Sequence, residues 1–202
     1  ENVPEYGCYS SDDESVVCSV DGDQLTMDPA EDFHGSVTIT VTVTDDGGLS
    51  ADTDFVLTIT PVNDEPTADV QPGVIAIEDV EHTITLTGDD GDADDVQVLT
   101  YILTGLPVTG SLSEISGGFV IGSVDLPFTL TDEELFFTTA SNDVDQQTFT
   151  FKVQDDGGTA NSGDNESPKA IVTVNVTAVN DAPVIGAVSN PSAILEDAGS
   201  QT

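Results

Sequence analysis

Apolar and polar residues alternate along residues 37–43: Val37, Ile39, Val41 and Val43 fall on one face, Thr38, Thr40, Thr42 and Thr44 on the other. A period of two marks a β-strand with one buried face. The same reading places strands over 55–60 (Phe55, Leu57 and Ile59 inward), 82–87 (Ile84 and Leu86 inward), 98–103, 148–153 and 170–177. Shorter runs at 24–27, 74–77, 119–121, 128–130 and 135–138 complete the set. Between them lie stretches rich in Asp, Gly, Pro and Ser, the residues of tight turns. Helical periodicity is nearly absent, so the expectation is an all-β chain built from β-sandwiches. No strand is predicted before residue 24.

Two phrases occur twice. Val43-Thr44-Asp45-Asp46-Gly47-Gly48 returns as Val153-Gln154-Asp155-Asp156-Gly157-Gly158, and Pro61-Val62-Asn63-Asp64-Glu65-Pro66 as Ala178-Val179-Asn180-Asp181-Ala182-Pro183. A repeat spaced this widely is a whole domain rather than a short solenoid unit. Ala193-Ile194-Leu195-Glu196-Asp197 also echoes Ile75-Ala76-Ile77-Glu78-Asp79. The expected organisation is a partial domain over 1–64 without its opening strands, a complete domain over 65–181, and the opening strand of a third over 182–202.

A strand, an Asp-rich turn ending in Gly-Gly, a second strand and then Val-Asn-Asp-x-Pro resembles the cadherin-like tandem repeats of large bacterial surface proteins and adhesins. The resemblance is strong over 36–66 and 147–183 and looser over the rest of 67–146. It implies tandem Greek-key β-sandwiches of cadherin-like or Ig-like type, joined by short Asn-Asp linkers, with Ca²⁺ stiffening the junctions. It also implies an extracellular, secreted location and neighbouring repeats of the same protein as partners.

Charge is extreme. The 202 residues carry a formal net charge of −37, and Lys152 and Lys169 are the only basic side chains besides two histidines. Nucleic acid and anionic membrane surfaces are therefore excluded as partners. No apolar run approaches the ~20 residues of a membrane-spanning helix. Disorder, the other outcome of high charge, does not fit a chain that is 37% hydrophobic in regular alternation. Of 39 acidic residues only 12 are Glu, and Asp suits turns and hard-cation ligation better than helix surfaces.

Strand direction then decides which acidic loops meet. In a seven-strand sandwich, Asp89, Asp90, Asp92 and Asp94 fall at the entry pole of the complete domain, as do Asp155 and Asp156. Both groups face the linker carrying Asn63 and Asp64. A turn carrying Asp28, Glu31 and Asp32 faces the same linker from the preceding domain. At the second junction Glu78, Asp143 and Asp145 face Asn180 and Asp181. Clustered carboxylates without basic partners call for a cation, and Ca²⁺ takes about 6–8 oxygens from flexible ligands. Asp and Gly as ordinary solvated turn residues are the rival explanation for any single loop.

Other signals lead less far. Cys8 and Cys18 leave two readings open, a hairpin disulfide suited to an oxidising setting or two free thiols. His34 and His82 have no nucleophile beside them in sequence, so catalysis is not expected. The threonine ladder of 38–44 is an ordinary exposed strand face. A carbohydrate-binding module, with the 104–127 loops as its contact surface, is the rival functional class. The two incomplete ends read as truncation of a longer tandem protein, and head-to-tail strand addition, in which the tail of one chain completes the first domain of the next, is the rival account.

Overall fold

The computed structural model describes residues 4–92 and 96–187, which form two β-sandwich modules in tandem. The first contains β1 (Glu5–Ser10), β2 (Val16–Asp21), β3 (Gln24–Pro29), β4 (Gly35–Thr44) and β5 (Ser50–Ile59). All its pairings are antiparallel. One sheet has the order β1-β4-β5, and β2 and β3 form a hairpin that packs on it. The alternation of β4 is realised as expected: Val37 and Ile39 are buried, and Val41 and Val43 are half-buried on the same face.

β1 and β2 correct the expectation that no strand precedes residue 24. β1 (EYGCYS) has little apolar character to announce it, and β2 (VVCSVD) buries only Val16 and leaves Val17 exposed, so neither shows a full apolar face. Cys8 and Cys18 are joined in a disulfide. It is not a hairpin bond: β1 pairs with β4 and β2 with β3, so the bridge ties one sheet to the other. The core between the sheets is small: among the described residues its buried apolar side chains are Val16, Val37 and Ile39.

The second module contains β6 (Thr67–Ala68), β7 (Gln71–Ile77), β8 (Glu81–Thr85), β9 (Gly88–Asp89), β10 (Thr100–Gly105), β11 (Ser111–Ser113), β12 (Phe128–Thr129), β13 (Glu134–Thr138), β14 (Gln147–Gln154) and β15 (Ala170–Thr177). One sheet has the order β12-β10-β14-β15-β7 and faces a second of order β11-β13-β8. β7 runs parallel to β15, while the other pairs are antiparallel. Phe137, Phe149, Phe151, Leu103 and Leu135 fill the space between the sheets. At about 25 cal/mol per Å² of apolar area removed from water, burying this cluster is the main apolar contribution to the second module.

Residues 119–121, expected as a strand, make only an isolated bridge between Val120 and Ser113, and Phe119 is exposed. Asp28, expected in a turn, lies within β3 opposite Val17. Of the segment expected to open a third domain, residues 182–187 are irregular and exposed, and 188–202 fall outside the described residues.

Candidate functional site

The linker between the modules is built around Asn63. Its side-chain amide donates to Asp155 Oδ1 at 3.1 Å, to the Asp164 carbonyl at 2.7 Å and to the Asp64 carbonyl at 3.2 Å. Its Oδ1 accepts from Gln97 Nε2 at 2.6 Å, and its backbone carbonyl accepts from the Asp164 N–H at 3.2 Å. Two glycines allow this approach. A Cβ on Gly157 would stand 1.7 Å from Asn63 Oδ1, and one on Gly163 about 2.9 Å from the Asn63 carbonyl oxygen. The two repeated phrases are therefore partners in space: the Asn of one docks on the Asp-Asp-Gly-Gly turn of the other.

That turn has the same local chemistry in both modules. Asp45 Oδ1 accepts from the Gly47 and Leu49 N–H groups, and Asp155 Oδ1 accepts from the Gly157 N–H. Asp155 differs in being buried, and its Oδ2 has no hydrogen-bond partner among the described residues. Asp156, exposed beside it, accepts from the Val98 N–H.

The short β6–β9 pairing carries the acidic loop alongside the linker. Asp89 accepts from the Gly91 N–H, and Asp90 accepts from the Asp92 and Gln97 N–H groups. Gln97 bridges this loop to the linker, since its Nε2 also donates to Asp92 Oδ2 at 3.1 Å. Asp94 lies outside the described residues.

From the upstream module Asp32 arrives on a tight turn with φ 60°, a left-handed conformation that Asp tolerates. Asp32, Asp64 and Asp92 line one cavity of about 210 Å³ between the modules, closed on its apolar side by Phe33, Ile59 and Val62. Burial, followed by repulsion from Asp32 and Asp92, holds the Asp64 carboxyl above its ordinary pKa. The structure thus brings Asp32, Asn63, Asp64, Asp92 and Asp155 to one junction. Glu31 is exposed on the same turn, and Asp28 precedes it on β3, where it pairs with Val17.

At the second junction Glu78 is buried at the end of β7. Its Oε2 accepts from the Val179 N–H at 3.2 Å, and its Oε1 has no partner. Asp79, which follows, takes φ 61° to make the turn. Asp143 accepts from the Thr109 hydroxyl, the Asp145 N–H and Gln147 Nε2. The first two of these bonds hold its carboxyl below its ordinary pKa. Asp145, Asn180 and Asp181 are exposed, and the Asn180 amide donates to the Asp181 carbonyl.

Sequence reasoning did not single out Gln97 and Asp164, which hydrogen-bond Asn63, or Gly163, which leaves room for it. Gln97 closes the acidic loop and Asp164 sits in a long polar loop, so neither has a neighbour in sequence that betrays the contact. His82 Nε2 lies 2.6 Å from the Ile77 nitrogen and 3.0 Å from its carbonyl oxygen, so it fastens the β7–β8 turn.

No family model and no curated protein matches the sequence. Solved structures do match. Human protocadherin-24 EC1-2 superposes with a TM-score of 0.54 at 14% identity, covering 90% of this chain and 83% of that one. The fold is cadherin-like. Weaker cadherin-like matches include protocadherin gammaB7 EC3-6 (TM-score 0.45, 16% identity, 87% of this chain, 42% of that one). The human desmocollin-1 ectodomain matches at 0.42 and 15% identity, over 89% of this chain and 35% of that one. The chain spans less than half the length of these last two structures.

Among the described residues, no three acidic, histidine or cysteine side chains stand close enough together to hold a metal ion. The donor chemistry nevertheless fits a hard cation. Asp155 Oδ2 and Glu78 Oε1 are enclosed carboxylate oxygens with nothing to pair them, one at each junction. Leaving such an oxygen unmatched costs about 1–3 kcal/mol or more when charged.

Proposed function

We propose that this chain is an extracellular structural and adhesive module of a tandem-repeat bacterial surface protein, whose junctions are stiffened by Ca²⁺. The observation that carries the reading is the pair of enclosed, unpartnered carboxylate oxygens, Asp155 Oδ2 and Glu78 Oε1. Each sits in the module that follows or precedes an Asn-Asp linker. Asp32, Asp64 and Asp92 around their shared cavity add negative charge that a bound cation would offset, with His34 the one side chain of that lining able to carry a positive charge. Calcium suits such a set because it accepts about 6–8 oxygens at variable geometry, backbone carbonyls and water included.

In this reading Asn63 is a latch more than a ligand. It fixes the linker to the second module by direct hydrogen bonds, and the cation acts on the other side, drawing Asp32 of the first module toward Asp64 and Asp92. Neighbouring repeats of the same protein are the expected partners, in keeping with the cadherin-like fold. The carbohydrate-binding alternative gains no support from the comparisons.

The deciding experiment is a calcium titration by calorimetry, with thermal melts and small-angle scattering in calcium and in chelator. Binding to the native state alone stabilises by about 2.7 kcal/mol at one hundred times Kd for one site. A raised melting temperature and a longer, narrower particle in calcium are expected. Superimposable curves with no heat of binding would overturn the reading.

A further inference from the structure

β14 carries a polar residue where its alternation calls for an apolar one. Positions 147, 149, 151 and 153 all turn inward, and Gln147 stands in line with Phe149, Phe151 and Val153. Gln147 is only 4% exposed, so its carboxamide must find its partners inside the module. Its Oε1 accepts the Thr109 N–H at 3.0 Å. Its Nε2 is held loosely, 3.3 Å from Asp143 Oδ2 and 3.4 Å from the Asp145 carbonyl, longer than such bonds usually are. The carbonyl end is gripped and the nitrogen end is not.

The carboxylate oxygen nearest that nitrogen also accepts the Thr109 hydroxyl. Thr109, Asp143 and Gln147 therefore form a closed ring of contacts, although Thr109 and Gln147 are 38 residues apart in sequence. Each member is fixed from behind. Gly110 takes φ 76°, and a Cβ on it would stand 2.7 Å from the Thr138 carbonyl oxygen and 2.9 Å from Phe137 Cε2, so the backbone beside Thr109 lies pressed against β13. Asn142 takes φ 56° in the turn that presents Asp143, whose Oδ1 accepts the Asp145 N–H at 3.0 Å. Gln147 is paired with Val174 in the sheet. A hydroxyl, a carboxylate able to take its proton and a polarised acyl group, all held in one place, are the parts of an acyl transfer.

We propose that Thr109 and Gln147 join in an intramolecular ester, a cross-link that the second module makes for itself. Thr109 Oγ1 attacks Gln147 Cδ, and the Oγ1–Cδ bond forms as the Cδ–Nε2 bond breaks. The hydroxyl proton passes to Asp143 Oδ2 and from there to Nε2, which leaves as ammonia and returns Asp143 to its ionised form. The Thr109 N–H, donating to Oε1, stabilises the negative charge that gathers there. Atoms and electrons balance without an oxidant or further reactant. Until the step occurs, the hydroxyl serves as a donor to Asp143. Burial of Gln147 shields the product from water. The bond closes a loop around β11, β12 and β13, which then cannot extend when the chain is pulled from its ends.

Mass spectrometry of the denatured full chain tests this. After incubation at neutral pH in chelator, the chain should be lighter than its sequence by one ammonia. Digestion should give a peptide containing Thr109 joined to one containing Gln147, and hydroxylamine should separate the two, as it does esters. Thr109→Val and Gln147→Glu should keep their sequence masses, whereas Thr109→Ser, which retains a hydroxyl, should still lose ammonia. Asp143→Asn should lose it about a hundred-fold more slowly, the usual effect of removing a general base. Thermal melts show whether each variant is folded, and the Thr109→Ser result and the mass of the unaltered chain decide the matter even if another variant is not. A full chain at its sequence mass, an ammonia loss that maps to other residues, or an equal loss in Thr109→Val would overturn the inference. None of these results bears on the calcium reading, which the titration decides separately.

Discussion

The Asn63 side-chain amide donates to Asp155 Oδ1 at 3.1 Å, joining the linker to a turn 92 residues further along the chain. The bond depends on there being no side chain at residue 157, because a Cβ there would stand 1.7 Å from Asn63 Oδ1 and 2.4 Å from Gln97 Oε1. Gly157→Ala should therefore expel Asn63 and destabilise the second module by about 1–3 kcal/mol, the cost of polar groups left unmatched. The matching turn in the first module provides the control. At Gly47 a Cβ meets nothing nearer than Asp45 Oδ1 at 3.1 Å, so Gly47→Ala should shift the melt much less. Equal shifts would show that Asn63 does not occupy this turn in solution.

Asn63 and Asp64 are adjacent but should behave oppositely when replaced singly. Asn63→Ala removes three donated bonds and the one from Gln97. It should lower stability by about 1–3 kcal/mol with or without calcium, as losses of buried hydrogen bonds do. Asp64→Asn removes a charge that its neighbours oppose. It should be neutral or stabilising in chelator, and should abolish the added stability in calcium. Thermal melts of both variants in both buffers check this, and a calcium-independent penalty for Asp64→Asn would count against the junction site.

The parts of this arrangement differ in how plainly the sequence announces them. β4, β14 and β15 were legible because one face of each is buried, and that forces a period of two. β1 was not, because it carries few apolar residues and the disulfide does part of the holding, and β2 was not, because its valines do not alternate with polar residues. Asn63 and Asp155 stood out as members of repeated phrases, and strand counting sent both to the same pole. What counting could not supply was their contact. Asn63 was expected to sit outside the sandwich, yet it is hydrogen-bonded into it, and Gln97 and Asp164 are joined to it by folding alone.

The disulfide should matter to one module only. The first module encloses three apolar residues where the second encloses a large cluster with three phenylalanines. Cross-linking two sheets limits the unfolded chain, and removing such a bond from a small domain typically costs about 2–5 kcal/mol. Replacing Cys8 and Cys18 together by Ala should open residues 5–59 to amide exchange while protection in β10, β14 and β15 is retained. A parallel loss of protection in both modules would mean that they fold as one cooperative unit.

Asp64 offers a readout of the junction itself. In the absence of calcium its pKa is raised by burial, then by Asp32 and Asp92. A carboxyl whose folded-state pKa exceeds its unfolded one binds protons more readily when folded. Its ionised form therefore works against the fold at neutral pH, and that handicap fades as pH falls through the raised value. Asp12, Glu81 and Asp143 run the other way. Hydrogen bonds lower their pKa values, chiefly from Ser15, Ser116 and Thr109 respectively. The stability they contribute is present above the ordinary carboxylate range and is lost as pH drops through the lowered values. In chelator, NMR titration should place Asp64 above the ordinary Asp value of about 3.9, and Asp32→Asn or Asp92→Asn should each bring it down. Saturating calcium should carry it below that value, because a bound cation favours the ionised form. Asp143 should move little between the two buffers if its hydrogen bonds already hold it. An Asp64 midpoint indifferent to calcium and to both substitutions would mean that the three carboxylates do not share a cation.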